Sequence, residues 1–210
     1  MMLKILNNRW TLWLALCVPA LPLLADFIHD QRYYPEIMHR SGVIACQLLV
    51  VALAITPLRI IGLKLPGQFA LILSAIVGWL MQRRRYLGVA SCGYALIHTA
   101  FYFRRLEDVE SILAEWSDPE LLIGWLALFI FILLAITSND FSVRRMKKKW
   151  KTVHRWIYPC AILSFAHWLW FDYDYRGIFL LFVPLLLLQA YRIIERPNGR
   201  PVSPGKITRQ

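Results

Sequence analysis

Residues 83–105 read RRRYLGVASCGYALIHTAFYFRR, an uncharged run of eighteen residues (86–103) held between an arginine triplet and an arginine pair. As a helix, that run rises ~27 Å against a hydrocarbon core ~30 Å thick, so it reads as a membrane crossing with a histidine, His98, inside it. A second run, HRWIYPCAILSFAHWLWF at 154–171, repeats the arrangement with His154 at its basic end and His167 farther along. These two stretches decide the fold class. Working outward, uncharged apolar stretches place helices near 10–25, 41–58, 86–103, 120–137, 152–171 and 177–194. The first resembles a signal peptide, with Lys4 and Arg9 ahead of an apolar run. Trp10, Trp13, Pro19 and Pro22 interrupt it and no clean small-x-small site follows, so it is kept as a span.

Composition agrees with a bilayer environment. The 210 residues are 58% apolar and only 18% charged, below the ~25% of soluble domains. The net charge of +11 suggests an anionic partner until the charges are located. With a cytoplasmic N-terminus, segments 1–9, 59–85, 138–155 and 192–210 lie inside and carry 19 Lys and Arg. Five remain outside: Arg32, Arg40, Arg104, Arg105 and Arg176. Of the acids, eleven fall outside and only Asp140 and Glu195 inside. Cytoplasmic loops retain Lys and Arg, so the expected architecture is all-α: a six-helix transmembrane bundle with both ends inside. Membrane lipid is then the surrounding partner, and no nucleic acid is needed to explain the charge.

The run FALILSAIVGWLM at 69–81 is apolar but only 13 residues long, with cytoplasmic flanks, and is expected to be interfacial or re-entrant. Cys17, Cys46, Cys92 and Cys160 sit singly in apolar spans, so neither a disulfide framework nor a zinc site is indicated. There is no GxGxxG and no Walker loop. Residues 1–194 are read as one membrane domain and 195–210 as a cytoplasmic polar tail too short to bind a nucleotide.

Of the five histidines, His29 falls in a polar outer loop and reads as solvated. Ionisable groups inside a membrane are costly and mark functional sites. His98 stands 13 residues beyond Arg85, and His167 stands 13 residues beyond His154, which adjoins the basic inner loop. Both therefore lie ~20 Å up separate helices, at one depth. That is the arrangement needed to hold one planar metallocycle between two imidazoles. Below His98 on its own face stand Ala95, Ser91 and Gly88; below His167 stand Ser164 and Cys160, all small. Such residues either leave room for a cofactor plate or serve close helix packing. His154 is a ligand for a second, inner haem or an interfacial residue. Its 13-residue spacing rotates it ~220° from His167 unless Pro159 kinks the helix. His39, at the start of the second helix, is a helix-end residue or a spare ligand.

The ordered set ITPLR (55–59), RRRYLG (83–88), LIHTAFY (96–102), AITS (135–138), WKTVHRWIY (150–158) and ILSFAHWLW (162–170) resembles the ferric-reductase-like transmembrane family. The resemblance covers residues 39–170 and is strongest to the haem-binding membrane subunits of periplasmic methionine sulfoxide reductase systems. It implies a b-type haem in a six-helix bacterial inner-membrane protein, with His98, His154 and His167 on the family's histidines; some members also carry FMN. It further implies electrons drawn from the quinone pool or a cytoplasmic flavin reductase and passed to a periplasmic molybdopterin-dependent methionine sulfoxide reductase. Two departures, the long link containing 69–81 and RRMKKKW at 144–150, both lie on the donor side.

Three functions compete on these residues. The first is an electron-transfer subunit without a substrate-reducing site of its own, with Arg104 and Arg105, or Arg40, pairing with haem propionates near the outer surface. The second is a metal reductase delivering electrons to Fe³⁺, toward which the acidic EDVE (107–110) and DYDY (172–175) stretches attract cations. The third is a non-redox transporter or proton relay, using helices broken at Pro19, Pro22, Pro159 or Pro184. A Soret band separates the first two from the third. The acceptor separates the first from the second.

Overall fold

The computed structural model describes residues 8–30, 32, 34–105, 110, 115, 118–171 and 175–195. The tail beyond 195 and most of the two acidic outer stretches lie outside these residues. The described residues form helices and no strand: α1 (Arg9–Cys17), α2 (Ala20–His29), α3 (Tyr34–Gly62), α4 (Gly67–Arg105), α5 (Pro119–Ile136), α6 (Asp140–Met146), α7 (Lys148–His154), α8 (Ile157–Phe171) and α9 (Tyr175–Ile194).

The frame is an antiparallel hairpin of α3 and α4. Its register runs from Ser91 Oγ, which donates to the Ala45 carbonyl at 2.6 Å, to Arg84, which donates to Thr56 Oγ1 at 3.3 Å nearer the turn. α5 and α8 pack together against this hairpin, and α9 closes on α3. Leu49, Leu53, Cys92, Phe131, Cys160 and Ile178 fill the shared core. Around it the usual polarity is reversed. Leu126, Phe129, Ile162, Leu180, Leu186 and Leu187 are exposed, an apolar jacket of a size that water does not tolerate and lipid requires. This is a membrane protein.

Pro57 lies inside α3 and has no N–H to offer the Leu53 carbonyl one turn back. Gln189 of α9 supplies the missing donor, its Nε2 bonding that carbonyl at 2.9 Å. Pro159 lies in the first turn of α8, where a missing N–H costs nothing. At the cytoplasmic end expected from the charges, Asn139 caps α6. Trp150 Nε1 donates to the Thr137 carbonyl at 2.9 Å, and Arg85 pairs with Asp140 at 2.6 Å.

Three described helices (α3, α5 and α9) are long and apolar enough to cross a membrane, or four if α1 and α2, bent by 45°, make one span. α8 has 15 residues, and the 39-residue α4 carries the arginine triplet near its middle. The 69–81 run is not a separate element: it is the first part of the 39-residue α4, a rod ~58 Å long. The arginines do not break this helix because each leaves the axis sideways. Arg83 lies over the Trp79 ring at 4.4 Å, Arg84 reaches Thr56 and Arg85 reaches Asp140.

Candidate functional site

α4 carries His98 and α8 carries His167 into one cavity of about 490 Å³. Their ring centres are 6.2 Å apart and their planes are inclined at 88°. Each ring is oriented by a backbone carbonyl on a helix facing it: His98 Nδ1 lies 2.7 Å from the Met38 carbonyl, and His167 Nδ1 lies 3.1 Å from that of Glu120. A carbonyl only accepts, so Nδ1 carries the proton in both rings and Nε2 keeps its lone pair. A bond of this kind is what fixes the tautomer of a metal-ligating histidine.

Two glycines let the rings stand where they do. A Cβ on Gly42 of α3 would come within 2.9 Å of His98 Nδ1, and one on Gly124 of α5 within 2.7 Å of His167 Cε1. Backbone therefore replaces side chain behind each imidazole. Val43, Ala95, Ala127, Leu128 and Phe131 line the apolar part, while Tyr102, Arg105, Glu115 and Asp118 make one polar rim. Tyr102 Oη donates to Glu115 Oε2 at 3.1 Å across that rim.

Of the residues expected around a cofactor, Ala95, Ser164 and Arg105 line the cavity. Gly88, Ser91 and Cys160 do not. Ser91 and Cys160 are fully buried, at the Ala45 and Ala127 carbonyls, where their small size lets helices touch. Among the described residues, none comes within 4 Å of a Cβ placed on Gly88. Arg104 lies over the Tyr34 ring, outside the cavity. His39 is on the cavity wall. His154 is not: it stands at the other end of the bundle, stacked on Trp150 at 3.8 Å. Its Nε2 is 3.2 Å from Ser138 Oγ. Gly42 and Gly124 were not singled out from the sequence. Their signal is a helix-weakening glycine inside an otherwise apolar run, which needs a packing reason.

A metal bonded ~2.0–2.1 Å from each Nε2, with each ring centre ~1.1 Å behind its nitrogen, sets the two centres ~6.3 Å apart. The observed 6.2 Å matches that spacing. The fold and site thus define a helical membrane protein with two imidazoles from separate helices facing one cavity. The chain belongs to the ferric reductase like transmembrane component family, whose model matches residues 41–165. Among its relatives is the protein-methionine-sulfoxide reductase heme-binding subunit MsrQ of Xanthomonas campestris pv. campestris (strain B100), 35% identical over 169 residues, which are 79% of this chain and 72% of that protein. The subunit of the same name from Xanthomonas axonopodis pv. citri is 32% identical over 82% of this chain and 75% of its own. That from Azospira oryzae is 29% identical over 74% and 64%. No solved structure matches.

Proposed function

We propose that the chain is a haem-binding electron-transfer subunit of a methionine sulfoxide reductase system. It holds a b-type haem by Nε2 of His98 and Nε2 of His167. The observation that carries this reading is the pair of rings, 6.2 Å apart, each with its Nδ1 engaged by a carbonyl. When bound between His98 and His167, the haem would supply a one-electron couple. The chain's own residues do the rest. The Met38 and Glu120 carbonyls hold the imidazoles in the metal-binding tautomer, Gly42 and Gly124 leave them room, and the apolar wall keeps water away. Arg105, at the polar rim, pairs with propionate carboxylates.

Six spans with both ends in the cytoplasm of a bacterial inner membrane put this cavity toward the periplasm. The acceptor is then a periplasmic molybdopterin enzyme and the donor is the quinone pool or a cytoplasmic flavin reductase. His154, stacked on Trp150 at the other end of the bundle, takes no part in this site. The test is the absorption spectrum of purified protein loaded with haem. A Soret band that is lost in His98→Ala and in His167→Ala, and kept in His29→Ala, supports the reading. A folded, fully loaded preparation without colour refutes it.

A further inference from the structure

At the opposite end from the cavity, two guanidinium groups converge on one phenol. Arg192 of α9 donates to Tyr158 Oη at 2.6 Å and to Gln189 Oε1 at 2.9 Å. Arg84 of α4 bonds Thr56 Oγ1 and stands close enough to hydrogen-bond Tyr158 and to be repelled by Arg192. Both arginines are half-buried, and among the described residues neither has a carboxylate within ion-pair distance.

The chain has almost none to give them. Segments 59–85, 138–155 and 192–210 hold only Asp140 and Glu195. Asp140 is paired with Arg85, and Glu195 with Lys64. Two like charges held together on a neutral hydroxyl, with every acid on that side already committed, call for an anion from outside the chain. A phosphate suits the site, since guanidinium groups bind phosphate oxygens through paired N–H donors. The surroundings say where the phosphate comes from: Trp156, Ile193 and Ile194, next to the cluster in sequence, are exposed and apolar, as residues at a lipid headgroup level are. Basic pockets between helices on the cytoplasmic side are places where anionic headgroups sit.

We propose that Arg84 and Arg192, joined through Tyr158, bind the phosphate of an anionic phospholipid of the cytoplasmic leaflet. The test is the unfolding temperature of the purified full chain in detergent, titrated with phosphatidylglycerol or phosphatidylcholine. Phosphatidylglycerol is expected to raise it in the wild type and in Lys149→Gln, and phosphatidylcholine is not. Arg192→Gln is expected to need at least ~10-fold more phosphatidylglycerol for the same shift. Tyr158→Phe, which removes the shared acceptor, is read in its place if Arg192→Gln does not fold. Equal responses of the wild type and the variant overturn the proposal. So does an Arg192-dependent shift produced by inorganic phosphate or FMN without lipid, which assigns the site to a free phosphate ester. The Soret intensity, followed in the same samples, reads the outer haem site separately.

Discussion

At the scale of single residues, the site depends as much on what is absent as on what is present. Gly42 and Gly124 put backbone where a methyl group would strike an imidazole. Gly42→Ala and Gly124→Ala are each expected to displace a ring and lower haem retained per protein, at the ~1–3 kcal/mol cost usual for overpacking. Gly88→Ala, with open space at its Cβ, is expected to keep haem and to stabilise α4 by up to ~1 kcal/mol. Soret absorbance against protein concentration, together with melting temperature, checks both. Equal 13-residue counts from Arg85 and His154 placed His98 and His167 at one level in the sequence, and the structure brings their rings together. The glycines behind them were not legible there, because periodicity reports the face of one helix and is silent about which neighbour it meets.

Two exposed ion pairs at the end of the bundle away from the cavity give a pH dependence whose sign follows from their chemistry. The hydrogen bond from Arg85, and then its charge, holds the Asp140 carboxyl below its usual range. Its contribution is therefore full above the unfolded value, ~3.9, and is lost as pH falls through the lowered native value. The hydrogen bond to Glu195, first among several causes, raises Lys64, so its contribution is full below ~10.4 and is lost only in stronger alkali. From these pairs the unfolding temperature is expected to be flat between about pH 5 and 9. Asp140→Asn is expected to remove a small part of the acid decline and to leave the neutral value little changed, as suits an exposed pair.

At the scale of elements, α3 and α9 are joined through a proline defect. Gln189→Leu leaves the Leu53 carbonyl unbonded in the core, an expected loss of ~1–3 kcal/mol read as a lower melting temperature. Adding Pro57→Ala returns an N–H to that carbonyl. The double variant is therefore expected to recover much of the loss, a coupling that two independent sites would not give. The proline was plain in the sequence; the glutamine answering it from 132 residues away was not. The 69–81 run teaches a related lesson. Its length and flanks suggested a separate element, yet no breaker stands between Gly78 and Gly88, and the three arginines find partners beside the rod. Charge ends a membrane span without ending a helix.

At the scale of the whole molecule, the bias of 19 basic residues to 5 in a six-span arrangement predicts the orientation. Reporter fusions after Lys147 are expected to report cytoplasm and those after Glu110 periplasm; the reverse pattern contradicts the six-span arrangement. In that arrangement the imidazole cavity opens toward the outer side and the Arg84–Arg192 cluster toward the inner. The proposed metal and anion sites thus lie at opposite ends of the molecule. The central claim remains the iron held between His98 and His167. Low-temperature electron paramagnetic resonance of the ferric, haem-loaded protein tests it most directly. A low-spin signal from two imidazole ligands is expected, abolished or turned high-spin in His98→Ala and in His167→Ala alike. An outer-haem low-spin signal that persists unchanged in either variant contradicts it.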